Sequence, residues 1–345
     1  MSEIMKKYKS NLQLVLSTVI ILFLFAACSE VSDVNDEISS TKLVTPKPLN
    51  THTKAFNPEP NIDNMLNNIS SLASFERPMG SQGEIQGCTY LKDILNSYGY
   101  LTNIQTFPYD VEERALDDSD FWNIEVPEKN KDGEGQNLIA EKTSENNTKD
   151  VIVISAHYDS NGLGLIDNAT GVSVLMETAR LFSDISLSIN VRFILFSGEE
   201  MGLKGSRYYL GKLSSNEKQN ILANINLDYI GEEGKNNLIL ATIDGKENAA
   251  TKLFEEFTKS GKLNIIKAPL SDYYSFAKAG IPSLSMGQLP IPWEIRSGEK
   301  LTKEEMQNEL KKYDSISRLN HDKLKSAINM VISVLSKYME EKPGT

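Results

Sequence analysis

Two short, strongly apolar runs dominate the hydropathy pattern, VIVISA at 151–156 and VRFILF at 191–196. Between them Val174, Leu175, Ala179 and Phe182 recur at helical spacing, which predicts a helix over 170–182. A strand–helix–strand unit whose strands are apolar on both faces predicts a right-handed crossover in a covered parallel sheet. Around it the pattern predicts further strands at 101–108, 137–141, 221–230, 237–243 and 281–286. Helices are predicted at 61–75, 85–98, 249–260, 271–279 and 322–338. This alternation predicts an α/β fold, a single-domain α/β/α sandwich around a mixed, mainly parallel central sheet. No internal repeat or heptad pattern interrupts it.

The ends of the chain read differently. Lys6, Lys7 and Lys9 precede an apolar stretch at 12–27, followed by Cys28. That stretch is shorter than the ~20 residues a spanning helix needs and suits a signal peptide. The small residues before Cys28 resemble the lipoprotein signal motif, in which that cysteine is acylated and becomes the first mature residue. Plain secretion and an uncleaved anchor are the alternatives. Residues 29–60, rich in Ser, Thr, Asn, Pro and acids, read as a flexible tether. The folded domain is expected at 61–341, with polar surface insertions at 109–136 and 288–308. The resulting expectation is a lipid-anchored, extracytoplasmic protein of the cell envelope, held to the membrane by its N-terminal lipid. Cys88 is then the one thiol of the mature chain, and a buried, inert role is expected for it. The net charge of −11 argues against a nucleic-acid partner, since nothing would neutralise phosphates.

Candidate chemistry collects where the apolar runs stop. His157 and Asp159 follow the first, Glu199 and Glu200 the second, Asp167 precedes the helix, and Asp228 ends the strand after that. Each acid alone has a plain structural role, as a helix cap, a turn or a solvated pair. Together they present oxygen or imidazole donors at what reads as four successive strand exits, the edge where parallel sheets bind ligands. Zinc accepts that donor set.

The motifs AHYDS (156–160), IDNATG (166–171), SGEEMGLKGS (197–206) and NLDYIG (226–231) resemble metallopeptidase family twenty-eight, the di-zinc aminopeptidases and their glutaminyl cyclase and glutamate carboxypeptidase relatives. RPMGSQGE (77–84), SDYYSFAKAGIPSLSM (271–286) and YDSISRLN (313–320) resemble that family's entry helices, late helix–strand pair and last loop. The resemblance implies that His157 and Asp228 bind a first zinc, that Asp167 bridges two and that Glu200 binds the second. It further implies a cis peptide after Asp167, Glu199 as general base and Asp159 as the residue that steers His157. Two such metal ions polarise a carbonyl and acidify a water.

One position departs from the family. Its last-loop metal histidine corresponds here to Leu310, and neither His52 nor His321 matches it. Glu309, Glu294 or a displaced His321 are the candidate replacements, so the second Zn2+ site is left open. Tyr273 also stands where relatives often carry histidine. The implied activity is an extracytoplasmic aminopeptidase acting on peptides or proteins with free N-termini. The alternatives are a catalytically impaired binding or scaffold protein on the same fold, and a carboxypeptidase or other hydrolase.

Overall fold

In the computed structural model, the described residues are 58–108, 133–234, 237–268, 271–289 and 314–340. The signal segment with Cys28, His52, most of the tether, residues 109–132, Glu294, Glu309 and Leu310 lie outside them.

Strand β1 (Thr102–Pro108) pairs antiparallel with β2 (Glu134–Lys142), and β2 pairs antiparallel with β4 (Asn190–Phe196). The centre is parallel: β4 beside β3 (Val151–His157), β3 beside β5 (Ile221–Asp228), and β5 beside β8 (Ser283–Gly287). β8 then pairs antiparallel with β6 (Ile239–Thr242), whose outer neighbour β7 (Asn264–Lys267) is parallel. The eight strands thus run in the order β1-β2-β4-β3-β5-β8-β6-β7. This is the mixed, mainly parallel sheet that the hydropathy pattern predicts.

The reason is visible in burial. Every residue of β3 is buried, so both of its faces are covered. Burying an aliphatic side chain such as Ile152 or Ile154 contributes about 2–3 kcal/mol. One face meets helix α3 (Thr170–Phe182), whose circumference is almost wholly buried between the sheet, α1 (Ile62–Leu72) and the last helix, α9 (His321–Ser336). On the opposite face Val151, Val153 and Phe196 pack with Tyr209 and Leu210 of α4 (Lys204–Lys212) and Phe276 of α8 (Tyr273–Lys278). Strand side chains alternate, so His157 points to the α4/α8 face together with Val153 and Ser155.

Helix starts follow their caps. Asn61 caps α1 by accepting from the Asn64 amide, and Ser81 caps α2 (Gln82–Ser97) by accepting from Glu84. A capping box of Ser214 and Glu217 opens α5 (Ser215–Asn220). The continuous helix expected at 249–260 is two pieces, α6 (Ala249–Lys252) and α7 (Glu255–Lys259). At the join the bonds tighten to three-residue spacing, Leu253 to Ala250 and Phe254 to Thr251, with Phe254 fully buried. α4, α5 and β7 were absent from the hydropathy expectation. α4 is polar and glycine-bearing, α5 buries nothing, and β7 is a half-exposed edge strand. Cys88 is buried and free, and burial pushes its thiol up to about 11, in keeping with an inert role. Among the described residues no helix is long and apolar enough to cross a membrane.

Candidate metal centre

β4 lies on one side of β3 and β5 on the other, so the chain leaves β3 in both directions. A crevice opens at the carboxyl ends of strands where the order divides in this way. The expected donors stand there, from three strand exits rather than four. His157 ends β3, Glu199 and Glu200 follow β4, and Asp228 ends β5. Asp167 belongs to the connection from β3 to α3, in a short turn at Leu165–Ala169.

His157 is the buried centre of the group. Its Nδ1 lies 3.1 Å from the backbone carbonyl of Asp159, which fixes that nitrogen as the donor and leaves Nε2 for a ligand. Nε2 faces Asp167 Oδ1 at 3.1 Å and Asp228 Oδ1 at 3.3 Å. Donor atoms of His157, Glu199 and Asp228 all lie within 4.8 Å of one another. Asp228 Oδ1 is buried, yet among the described residues no hydrogen bond closes on it. A carboxylate oxygen left so, opposite an imidazole nitrogen and beside further carboxylates, fits a divalent cation.

The electrostatics agree. Burial pulls the His157 imidazole down, but Glu199, Asp228 and the neighbouring acids hold it well above its usual value. Burial pushes Glu199 well above the carboxylate range, and pushes Glu200 up to about 8 with Asp167 adding to the rise. Asp228 is held below its usual value against its own burial, chiefly by His157. Half-buried acids this close repel one another, and a dication relieves that repulsion.

The supporting contacts refine the expectation for Asp159. Its carbonyl, more than its carboxylate, orients His157, because the carboxylate is 3.6 Å away. The carboxylate instead accepts from the amides of Glu199 at 3.2 Å and Glu200 at 3.3 Å, fixing the turn that carries both glutamates. Glu200 accepts from Asn161, through its side-chain Nδ2 at 2.6 Å and its amide at 3.3 Å. The Asp167–Asn168 peptide is cis. Asn168 ties this turn to β5: Nδ2 donates to Leu227 O at 2.9 Å, and Oδ1 accepts from the amides of Gly171 and Tyr229. Asp314 of the last loop accepts from the Ile166 amide at 2.6 Å. His321 is exposed on the first turn of α9, whose cap is Asn320, and Tyr273 is buried with its hydroxyl donating to Ala268 O.

Two residues of consequence were not singled out from sequence. Arg77, named in the sequence only as the first residue of the RPMGSQGE motif, is wholly buried. Its guanidinium donates to the carbonyls of Leu72, Phe75, Tyr158, Leu163 and Gly164, so it clamps the loop between His157 and Asp167. Asp272 is also wholly buried, and among the described residues neither of its oxygens has a hydrogen-bond partner. Burial raises it to about 7, with Asp159 and Asp228 adding to the rise. A charged residue just before an otherwise apolar helix was the available signal.

Residues 137–335, more than half the chain, match Peptidase family M28. The chain is 31% identical to "Aminopeptidase YwaD" of Bacillus subtilis over 220 residues, 61% of this chain and 46% of that protein. It is 26% identical over 232 residues to "Leupeptin-inactivating enzyme 1" of Streptomyces exfoliatus, 65% of this chain and 48% of that one. The chain therefore spans about half the length of the curated relatives it matches. Among solved structures, a zinc aminopeptidase from Bacillus subtilis superposes with a TM-score of 0.67 at 19% identity, covering 83% of this chain and 97% of that one. An aminopeptidase from an Aneurinibacillus species gives 0.66 at 22%, covering 82% and 95%; at these identities the likeness is one of fold. The family match takes in β3, β4, β5 and every donor they present, and on that ground the chain belongs to Peptidase family M28.

Proposed function

We propose that this chain is a zinc-dependent aminopeptidase that works outside the cytoplasm, tethered by a lipid on Cys28. The observation that carries the catalytic part is the convergence of His157, Glu199 and Asp228 donor atoms within 4.8 Å, with Asp167 against the same imidazole nitrogen. Relatives whose names are those of aminopeptidases support the choice of reaction. The basic, apolar, small-residue run ending at Cys28 supports the location.

His157, Asp167 and Asp228 would hold the first zinc, and Asp167 with Glu200 is the half-set left for a second. When bound, zinc polarises the scissile carbonyl and lowers the pKa of a water. Glu199 takes the proton from the attacking water and returns it to the departing amine. Its burial favours the protonated form it must adopt between those two steps. Asp159, through two backbone amides, fixes the turn that carries Glu199 and Glu200.

Purified chain should release amino acids from aminoacyl nitroanilides, and a chelator should stop it. Glu199→Gln should keep zinc and lose about 10²–10⁴-fold in kcat. Full activity in that variant would refute the base assignment, and cleavage from the carboxyl end of test peptides would refute the aminopeptidase reading. A Cys28→Ala chain should partition into the aqueous phase of a detergent extraction. Leu310 favours a second reading, a metal-poor scaffold. Zinc analysis divides the two, because the scaffold takes up none.

A further inference from the structure

A second zinc needs more than Asp167 and Glu200, because catalytic zinc is held by about three protein donors. Among the described residues, one group of three brings its donor atoms within 4.8 Å of one another, His157, Glu199 and Asp228. Asp167 and Glu200 do not begin another. The acids near them are engaged by backbone amides. Asp159 gives its two oxygens to the amides of Glu199 and Glu200, and Asp314 Oδ1 accepts from the Ile166 amide at 2.6 Å. His321 is exposed and opens α9. The described donors therefore do not fit a second ion.

Glu200 has a different partner. Asn161 stands exposed in the loop between β3 and Asp167 and meets both carboxylate oxygens. Its side-chain Nδ2 donates to Oε2 at 2.6 Å, and its amide donates to Oε1 at 3.3 Å. The first is as short as hydrogen bonds to a charged acceptor become. The lone pairs left on Glu200 could still reach a metal, but among the described residues Asp167 is the one further donor waiting there. The contact also has a mechanical result. Arg77 grips this loop from the buried side through the carbonyls of Leu163 and Gly164. Asn161 ties its exposed side to the turn after β4.

We propose that the chain works with one zinc and that Glu200 serves as a latch: paired with Asn161, it ties the exit of β4 to the loop leading from His157 to Asp167. This rests on the first zinc site of the proposed aminopeptidase. The family resemblance implies two metal ions, whereas the donors that converge here serve one.

The test titrates the metal-free full chain with cobalt and with zinc, and measures the zinc retained after desalting. Cobalt absorption should saturate at one equivalent, and one zinc should stay bound. Release of amino acids from aminoacyl nitroanilides should be maximal at one equivalent. Glu200→Ala should still retain one zinc. Melting in excess chelator tests the latch. Asn161→Ala should lower the melting temperature of the wild type by about 2–4 °C and leave that of Glu200→Ala unchanged, because both residues act through one contact. Two zinc in the wild type falling to one in Glu200→Ala would overturn the proposal and leave the aminopeptidase reading standing. So would activity that rises up to a second equivalent. An equal drop from Asn161→Ala in both backgrounds would overturn the latch. If the variants do not fold, the wild-type stoichiometry decides. No zinc in the wild type would sink the proposal and the aminopeptidase reading together.

Discussion

Replacing Arg77 by methionine should loosen the metal loop and destabilise the chain by about 3 kcal/mol. Three of the carbonyls that the guanidinium serves, Leu72, Tyr158 and Gly164, take part in fully buried hydrogen bonds. Each buried acceptor left without a donor costs about 1–3 kcal/mol. Methionine fills much of the same volume, so little cavity is added. Against this loss stands the burial of the cation, which lowers the guanidinium from its ordinary range to about 10. At about 1.4 kcal/mol per pKa unit, removing that charge recovers about 3 kcal/mol. Taken at about 2 kcal/mol each, the three orphaned acceptors outweigh that recovery by about 3 kcal/mol, which lowers the melting temperature of a domain this size by roughly 5–10 °C. Melting is best followed with excess chelator, so that zinc binding does not contribute to the difference. Zinc affinity should fall as well, because the Tyr158, Leu163 and Gly164 carbonyls lie on the path from His157 to Asp167. Arg77→Lys should recover part of the stability at most, since an ammonium has three donors and no planar fork. Melting of Arg77→Met within 1 °C of the wild type, a threshold set at roughly the precision expected of such a shift, would refute the clamp.

Other consequences can be measured alongside. Burial raises Glu84 to about 7 from an ordinary 4.5, so its folded form favours the proton. Its contribution to stability is complete below about pH 4.5 and declines as pH rises through about 7, by up to about 3 kcal/mol. Urea unfolding of the zinc-loaded chain should show that decline between pH 5 and 8 in the wild type and lack it in Glu84→Gln; equal slopes would rule the assignment out. Gly171 lets α3 start against the metal turn, since a Cβ there would sit 2.3 Å from both Asn168 Oδ1 and Leu227 O. Gly171→Ala should therefore cost about 1–3 kcal/mol and weaken zinc binding, and a variant that melts and binds like the wild type would contradict it.

Local pattern was enough to find the frame. The runs at 151–156 and 191–196 become β3 and β4, and the spacing of Val174, Leu175, Ala179 and Phe182 becomes α3, because the apolar side chains that meet the sheet repeat at one spacing even where polar residues stand between them. The candidate donors were legible for a related reason, since polar side chains that break an apolar run mark where a strand leaves the core. Weakly amphipathic pieces escaped: α4 carries lysines and glycines that blur any period, and β7 is a four-residue, half-exposed edge strand.

What the chain assembles across distance was not written in any window of sequence. That Glu199 comes together with His157 and Asp228 depends on β4 and β5 flanking β3, a strand order set by packing of the whole sheet. Arg77 reaches carbonyls more than eighty residues away, and Asn226 joins serines of a loop and two strands. Backbone carbonyls carry no sequence signal, and a buried hydrogen bond is strong only once both partners have left water. The residues' identities thus supplied the donors, while the tertiary structure alone decided which of them meet and what holds them in place.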